Sequence, residues 1–281
     1  MTNVNDRTAK VLNVGCENYA IDFGDVIVRF PVDEQAFGKL EFETIVCGKL
    51  DLLDLKTPKT KTVLQDYPFS WHQKIQGDYF LTEDYDMLSI KQRDVIAKQL
   101  AAFFVAIHSF SKTEMKELGA QDLPGYVAHS LMQEQARLIP SDLISHFDHF
   151  MSQYKALSVD PAHYTFGYFD AHGWNMAFDK KSETLIGIYD FADCGFGDVH
   201  QDFHPINTIS QDLIERVVDQ YQALTNTSVN IARVNFYTIL AEYSDLFDMI
   251  NGHETLMQKG LDHHFSQLRR WRDEMGFLPS F

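Results

Sequence analysis

Cysteine is scarce in this chain of 281 residues, and long hydrophobic runs are missing. Its three cysteines, Cys16, Cys47 and Cys194, lie far apart without Cys-x-x-Cys spacing, so neither a disulfide framework nor a zinc site is predicted. No stretch approaches the roughly 18 apolar residues of a membrane span. The N-terminal residues lack the basic start and apolar segment of a signal peptide. We therefore expect a cytoplasmic protein with no membrane partner.

Basic residues are also few relative to acidic ones. The sequence has 24 Lys and Arg against 40 Asp and Glu, which gives a formal net charge of −16. Such a charge repels phosphate backbones and attracts cations, so no nucleic-acid partner is expected. It has two interpretations: it keeps the protein in solution, or it attracts a cationic substrate. Composition alone does not choose between them.

Glycine and proline are spread thinly, so the organisation of the chain is inferred from a change in secondary-structure pattern near Gly77. Before this point, β-branched runs such as VIVRFP (26–31) predict short strands. A helix is predicted over 34–53, and the run 62–77 predicts two more strands. Residues 1–77 are therefore expected to form a small mixed α/β lobe.

After Gly77 the pattern becomes helical. Ser89 is a predicted helix cap, and apolar residues spaced by three and four follow it. Further helical pattern covers roughly 123–157, 210–225 and 230–275, interrupted by a β-like segment at 164–191. We expect residues 78–281 to form a larger, mostly helical lobe, which makes the whole chain a two-lobed α+β fold.

The segment between Asn175 and Asp190 carries the chemistry. Within it, MAF, a polar turn and LIGIY predict a β-hairpin, whose two ends should meet. Asp170 lies five residues before Asn175 and is expected near the same point. Two oxygen ligands beside a third carboxylate suit magnesium, a hard cation that also binds substrate phosphates. We therefore predict Asn175 and Asp190 as magnesium ligands, and Asp170 as the catalytic base of phosphoryl transfer.

These loops resemble those of a known family. DAHGWN, which begins at Asp170, and IYDFADCGFGDVHQD, which follows the hairpin, are similar to the catalytic and metal-binding loops of the aminoglycoside phosphotransferases. The positions that match the family pattern are Asp170, His172, Asn175, Asp190, Gly197, Asp198 and Asp202. The resemblance covers about residues 10 to 205, is closest to the 2″-phosphotransferase branch, and implies a protein-kinase-like fold.

The resemblance also implies a nucleotide site, with ATP or GTP as co-substrate. VIVRFP matches the strand that carries the phosphate-binding basic residue, here Arg29, and Glu43 matches its helix partner. The phosphate loop VGCENYAI has one glycine, Gly15. HQKIQG resembles the hinge whose backbone binds the purine, here at Gln73, Lys74 and Ile75.

Two departures from the family pattern bear on activity. Tyr168 and Phe169 precede Asp170 where the family has His-Gly, and loss of that glycine could alter the loop turn. The family's basic residue is often Lys, and Arg29 supplies the charge with another geometry. Because of these departures, a second hypothesis stays open: the protein is a nucleotide-binding pseudokinase that regulates a partner. A metallohydrolase is a third hypothesis, built on Asp170, His172, Asp190, His200 and His204.

The acceptor is the least defined part of the prediction. On a predicted C-terminal helix, Glu242, Asp245 and Asp248 form either a solvated acidic face or, with Asp193, an acidic pocket for a polyamine. The second alternative predicts a kinase for a hydroxylated, cationic small molecule such as an aminoglycoside antibiotic. Choline, homoserine, amino sugars and macrolides are acceptors of relatives with the same fold, so the fold alone does not choose.

Overall fold

The structure, a computed structural model, describes residues 9–12, 18–50, 55–64, 67–252 and 258–279. The predicted phosphate-loop residue Gly15 lies outside these ranges. None of the described helices combines the length and apolarity needed to cross a lipid bilayer.

An antiparallel sheet of five strands forms the first part of the chain, in the order β1-β2-β3-β5-β4. Its strands are β1 (Lys10–Leu12), β2 (Asn18–Asp22), β3 (Val26–Pro31), β4 (Lys61–Val63) and β5 (Phe69–Gln73). The predicted strands are thus confirmed in place and order. Strand β3 lies inside the sheet, paired with both β2 and β5, as its β-branched run favours.

Helix α1 (Glu34–Lys49) follows β3 and contacts β3 and β4. Asp33 caps it, because its Oδ1 accepts the Ala36 N–H at 2.8 Å. The sequence predicted a helix as far as position 53. The helix instead ends at Lys49, and the Leu50 N–H closes its last turn on the Val46 carbonyl.

The long helix α3 (Ile90–His108) is the central helix of the second part and follows the short α2 (Thr82–Asp86). Ser89 caps α3 as predicted: its hydroxyl accepts the Gln92 N–H, and Gln92 Oε1 accepts the Ser89 N–H at 2.8 Å. The apolar positions of α3 are fully buried, at Ile96, Leu100, Phe103, Phe104 and Ile107. Burial of each such large apolar side chain contributes about 1.5–3 kcal/mol, which anchors the helix in the core.

The remaining elements are helical apart from two small sheets. Strand β6 (Tyr164–Gly167) pairs with β9 (Gly195–Asp198), and β7 (Met176–Asp179) pairs with β8 (Thr184–Ile188). The helices are α4 (Lys112–Glu117), α5 (His129–Glu134), α6 (Ile144–Ala156), α7 (Val199–Phe203), α8 (Gln211–Thr225), α9 (Ile231–Ile250) and α10 (Gln258–Met275). The helical pattern predicted over 123–157 is divided into α5 and α6, with Pro140 between them, a residue that cannot continue a helix.

Two apolar clusters fill the interior of the described residues. One joins α1 and α3 to the β6–β9 segment and α8. The other lies between α6, α9 and α10. Since the first cluster includes Val46 and Cys47 of α1, it connects the sheet-bearing part with the helical part. The architecture is therefore the predicted two-lobed α+β fold.

The chain passes between the two parts just after β5. Strand β5 ends at Gln73, and Asp78 already exchanges backbone hydrogen bonds with Phe178 of β7, at 2.9 and 2.8 Å. Gly77 lies so close to this strand that an added Cβ would come within 3.0 Å of Ala177 and Phe178. We therefore propose Gly77 as the division between an N-lobe (1–77) and a C-lobe (78–281).

Candidate active site

The hairpin of β7 and β8 brings the predicted chemical residues together. At its open end, the Tyr189 N–H donates to the Asn175 carbonyl at 3.0 Å, which places Asp190 beside Asn175. The Asn175 side chain in turn donates through Nδ2 to Asp170 Oδ2 at 2.6 Å. Asp170, Asn175 and Asp190 therefore meet at one point, as the hairpin geometry predicted.

Asp190 carries the most perturbed carboxylate of this group. Although the residue keeps access to solvent, protein atoms crowd its side chain, and this desolvation, followed by the charges of Glu43 and Asp170, raises its pKa to about 6. Solvent access moderates the shift without changing its direction. Among the described residues, no side chain or backbone group donates a hydrogen bond to this carboxylate. A negative group so placed is stabilised by a cation.

A buried carboxylate fixes the loop that leads into Asp170. Asp202 of α7 is fully buried and accepts the Tyr168 N–H at 2.9 Å, and its second oxygen accepts the Phe169 N–H. His108, at the end of α3, approaches the same carboxylate through Nε2 at 2.8 Å. Asp202 thus connects α3, α7 and the catalytic loop.

Tyr168 and Phe169, which stand where the family has His-Gly, preserve the backbone turn before Asp170. Phe169 adopts φ of 62°, the left-handed conformation that glycine reaches without strain. For a bulky residue this costs roughly 1–2 kcal/mol, which the two hydrogen bonds to Asp202 offset. Tyr168 is fully buried and donates its hydroxyl to the Tyr189 carbonyl at 2.5 Å. The pair therefore keeps the turn and also connects it to the residue before Asp190.

This arrangement predicts a strong effect of a single methyl group at Gly167. A Cβ added there would lie 2.1 Å from Asp202 Oδ2 and 2.8 Å from the Phe169 ring, so Asp202 would have to leave its hydrogen bonds. We expect Gly167→Ala to lower the free energy of unfolding by roughly 1–3 kcal/mol, measured by urea or thermal denaturation. Gly38→Ala is the control, because Gly38 lies in α1 with nothing within 4 Å of its Cβ position. Equal stability of both variants would show that Asp202 does not brace this loop.

Arg29 and Glu43 form a buried ion pair between β3 and α1. Arg29 Nη2 lies 2.8 Å from Glu43 Oε2, with side-chain exposures of 12% and 0%. The contact has ion-pair distance, although its angle does not satisfy hydrogen-bond geometry. Arg29 Nε and Glu43 Oε1 are buried without hydrogen-bond partners among the described residues. This burial distinguishes the pair from an incidental ion pair on the surface.

The predicted hinge residues differ in how far their backbone groups are already used. The Lys74 N–H donates to the Asp25 carbonyl at 2.9 Å, and Lys74 Nζ binds Asp22 at 2.7 Å. The Gln73 carbonyl accepts from His72 Nδ1 at 3.0 Å. Ile75 makes no backbone hydrogen bond within the part of the chain that the structure describes.

Asp193 lies in the loop that follows Asp190, and its charge contributes to the raised pKa of that residue. Its Oδ1 is 3.6 Å from Lys39 Nζ of α1, and its side chain is 62% exposed. Asp193 therefore lies near Asp190 and faces the solvent.

The acidic residues of α9 lie in different environments. Glu242 Oε1 binds His264 Nδ1 of α10 at 2.7 Å, and both side chains are largely buried. Asp245 and Asp248 are exposed, and the charge of Asp245 is among the influences that raise the pKa of Tyr126. Glu242 thus joins two helices, which the sequence pattern did not indicate because the partner lies 22 residues further along.

Two histidines of the metallohydrolase hypothesis, His200 and His204, are engaged away from Asp170 and Asp190. His200 Nδ1 contacts Asp198 Oδ1 at 2.6 Å, and His204 Nε2 lies 3.3 Å from the Tyr126 hydroxyl. Burial lowers the pKa of His204 to about 3. In the described ranges, no group of three or more His, Cys, Asp or Glu side chains is arranged to hold a metal ion.

Asp198 combines two roles that involve other parts of the fold. It caps α7 through the His200 N–H and binds Arg233 and Tyr237 of α9. Burial raises its pKa, but hydrogen bonds from His200 and the charges of His200 and Arg233 outweigh this and lower the pKa to about 2. Asp198 therefore connects α7 to α9.

With this geometry described, comparison with known proteins identifies the family. The sequence profile of the phosphotransferase enzyme family (APH) matches residues 8–236. The chain belongs to this family. It is thus a phosphotransferase, as the loops around Asp170 and Asp190 predicted. No curated protein sequence gives a significant match.

Solved structures with the same fold include the GDP and kanamycin complex of APH(2″)-IIIa, with 19% sequence identity, coverage of 98% of this chain and 97% of that chain, and a TM-score of 0.75. The streptomycin-ATP-APH(2″)-IIa ternary complex has 18% identity, coverage of 98% and 95%, and a TM-score of 0.62. Macrolide 2'-phosphotransferase MphH from Brachybacterium faecium has 13% identity, coverage of 93% and 91%, and a TM-score of 0.61. At these identities the likeness shows that the phosphotransferase has the kinase-like fold.

Proposed function

We propose that this phosphotransferase transfers the γ-phosphoryl group of ATP or GTP to a hydroxyl of a cationic small molecule, with an aminoglycoside as the first candidate. The observation that carries the proposal is the meeting of Asp170, Asn175 and Asp190 at the open end of one hairpin. Phosphoryl transfer is accelerated mainly by positioning and by neutralisation of phosphate charge, and these three residues offer both.

Asp170 is the proposed catalytic base. Its side chain is 26% exposed, so an acceptor hydroxyl can reach it. Asn175 holds Oδ2 at 2.6 Å, which restricts rotation of the carboxylate. A carboxylate held in this way orients the attacking hydroxyl and receives its proton as the bond to phosphorus forms.

Asn175 and Asp190 are the proposed magnesium ligands. Because Asn175 Nδ2 donates to Asp170, Oδ1 is the atom of this side chain that would bind a cation. Asp190 adds a carboxylate that the neighbouring negative charges make favourable for cation binding. Two oxygen donors suit magnesium, which completes its coordination with waters and phosphates. When bound, the ion would neutralise charge on the nucleotide phosphates.

The nucleotide is proposed to bind between Arg29 and the hinge. Glu43 orients Arg29 from α1. Arg29 Nε has no hydrogen-bond partner in the part of the chain that the structure describes, which supports a contact with phosphate. Since Lys74 N–H and the Gln73 carbonyl are already bonded, we assign the purine contact chiefly to the backbone of Ile75. Structures of related phosphotransferases contain GDP in one case and ATP in another, so both nucleotides are retained as candidates.

The acceptor is proposed to be cationic because of the net charge of −16 and the acidic residues Asp193, Asp245 and Asp248. Kanamycin and streptomycin are present in the two related complexes, and such polyamines match this charge. Glu242 is expected to contribute less, because His264 engages its carboxylate.

We expect Asp245→Lys and Asp248→Lys to raise the acceptor KM at least several-fold, with the nucleotide KM little changed. The reason is loss of Coulombic attraction, which added salt also screens, so the wild-type acceptor KM should rise with ionic strength. Steady-state kinetics at several salt concentrations measure both effects. Asp219→Lys makes the same charge change at an exposed position of α8 and serves as the control. If the acceptor KM responds to neither salt nor these substitutions, the acceptor is neutral, and Asp245 and Asp248 only form part of the solvent-exposed surface.

Phosphate transfer from ATP or GTP with magnesium to a panel of acceptors tests the proposed function. The panel contains aminoglycosides, choline, homoserine, amino sugars and macrolides, and a thermal-shift assay with each nucleotide runs beside it. Nucleotide-dependent stabilisation without transfer to any acceptor would favour the pseudokinase hypothesis. Transfer to a neutral acceptor would retain the kinase and replace the proposed substrate class.

A further inference from the structure

Trp174 is a large exposed aromatic residue of the catalytic loop. It stands directly before Asn175, one of the proposed magnesium ligands, and it is 57% exposed. The two apolar clusters of the described residues do not include it. Most of the indole surface is therefore available to a ligand and is not used by the core.

A cavity of about 230 Å³ lies beside the indole. Its walls are the catalytic loop, the segment 80–83 at the start of α2, and the segment that precedes α8. Leu81 and Ile209 make the cavity partly apolar, and Thr82 and Glu83 add polar groups. A site for a whole drug-sized ligand has roughly 300–1,000 Å³, so this cavity fits a single ring of a larger molecule.

Hydrogen bonds hold the three walls of the cavity together. The Phe80 N–H donates to the Gly173 carbonyl at 3.1 Å, and the Thr82 hydroxyl donates to the Ile209 carbonyl at 2.9 Å. The approach of the first two segments is so close that a Cβ added to Gly173 would lie 1.9 Å from the Phe80 carbonyl oxygen. The cavity is thus formed before a ligand arrives, which lowers the entropic cost of binding.

The cavity adjoins the proposed catalytic base. The ring of His172 contacts the Trp174 ring edge-on, with centroids 5.3 Å apart. The same imidazole has Nε2 at 3.0 Å from Asp170 Oδ1, an ion-pair distance. A single imidazole therefore separates Trp174 from the base. A molecule with two or more rings can fill the cavity with one ring and present a hydroxyl of another ring to Asp170.

The charge beside the indole is negative. Glu83 lines the cavity and is exposed. Lys180 Nζ binds the neighbouring Asp84 at 2.9 Å, and in the described ranges Glu83 itself has no salt bridge. An aromatic face attracts a cation through its quadrupole and a carboxylate does so through its charge, so the two residues together favour an ammonium group.

We propose that this cavity is an acceptor subsite for a ring that carries an ammonium group. The ring stacks on the Trp174 indole, and its ammonium group binds the Glu83 carboxylate, while a hydroxyl of an adjoining ring reaches Asp170. Trp174 and Glu83 determine acceptor specificity and take no part in proton transfer. The inference rests on the proposed kinase function, and it names the part of the acceptor that the enzyme recognises.

Kanamycin serves as the probe, because it carries several ammonium groups on linked rings. Its affinity is measured by calorimetry and its KM by steady-state kinetics. We expect Trp174→Leu to raise both by roughly 5- to 30-fold, the loss of a contact between a cation and an aromatic face. Trp174→Phe keeps an aromatic face and should change them less than about twofold. The nucleotide KM should stay the same in both variants.

Tryptophan fluorescence locates the bound ring. Kanamycin should change the emission of the wild type but not that of Trp174→Phe, which retains Trp71 and Trp271. Thermal unfolding midpoints show whether each variant is folded. If Trp174→Leu does not fold, the fluorescence of Trp174→Phe and the variants at position 83 still decide.

Glu83→Gln tests the ammonium contact. We expect it to weaken kanamycin binding several-fold and to reduce the salt dependence of that binding. Glu117→Gln is the matched control, since Glu117 is exposed at the end of α4. Glucosamine and glucose, which differ by one ammonium group, test the ligand class: glucosamine should inhibit transfer to kanamycin at a lower concentration than glucose does.

Four results would overturn the subsite while leaving phosphoryl transfer intact. They are wild-type affinity of Trp174→Leu, an unchanged fluorescence response in Trp174→Phe, equal effects of Glu83→Gln and Glu117→Gln, and equal inhibition by glucosamine and glucose. Absence of kanamycin binding to the wild type would also overturn it. Binding that depends on Trp174 and Glu83, without phosphate transfer to any acceptor, would support the subsite and remove the proposed kinase function.

Discussion

Asp190→Ala is expected to abolish magnesium-dependent nucleotide binding while the fold stays intact. The substitution removes a carboxylate that has no hydrogen-bond partner among the described residues, so no internal contact is lost with it. It also relieves the repulsion with Glu43 and Asp170, which adds to desolvation in raising the pKa of Asp190. The protein should thus stay folded when the metal site is lost, at a cost of roughly 1 kcal/mol because Asp190 has φ of 64°, a left-handed conformation that Asp adopts more readily than Ala.

Nucleotide titration by calorimetry or thermal shift, with magnesium and with EDTA, measures this effect. For the wild type, magnesium should tighten binding strongly, and for Asp190→Ala the two conditions should give the same weak binding. Asp148→Ala controls for the change in net charge, since Asp148 is exposed on α6. Tight magnesium-dependent binding by Asp190→Ala would contradict the assignment of Asp190 as a metal ligand.

The second large effect is expected from Asp170→Asn. The amide has nearly the shape of the carboxylate but cannot receive a proton from the acceptor hydroxyl. We expect turnover to fall by roughly a hundredfold or more, with nucleotide affinity retained, because general-base catalysis contributes about 10²–10⁴-fold. The single oxygen of the amide can still accept the hydrogen bond from Asn175 Nδ2.

Single-turnover kinetics at saturating nucleotide and acceptor isolate the chemical step from binding and product release. Nucleotide affinity is measured separately under the same magnesium concentration. Near-normal turnover at saturation would remove Asp170 from the role of base and leave it as a residue that orients Asn175.

The site was predictable where its geometry is local. The hairpin between Asn175 and Asp190 is encoded by two apolar runs and a polar turn, so its two ends had to meet. The Ser89 cap and the buried face of α3 are local patterns of the same kind, and the structure shows both. Matches to the family loops then supplied the chemistry that such local patterns do not state.

The unpredicted features depend on contacts between distant segments. Asp202 reaches the Tyr168 N–H across 34 residues and His108 across 94. Glu242 meets His264 on a helix whose packing no periodicity specifies. The left-handed conformation of Phe169 contradicts the local preference of a bulky residue, and the hydrogen bonds that Tyr168 and Phe169 donate to Asp202 explain it. In each case tertiary packing determines the contact or the backbone conformation, and such packing produces no regular spacing of residues in the sequence.

The two backbone bridges that flank the hairpin limit how this enzyme can open. Asp78 is bonded to Phe178 on one edge, and Lys56 is bonded to Ile186 and Ile188 on the other, through four hydrogen bonds in all. The strands β7 and β8, which connect Asn175 to Asp190, are therefore held from both sides by chain segments that flank β4 and β5. If the two parts of the chain move apart while these bonds persist, the five-stranded sheet must rotate about an axis near Lys56 and Asp78. The amides of these two residues should accordingly exchange hydrogen more slowly than those of the loops around them.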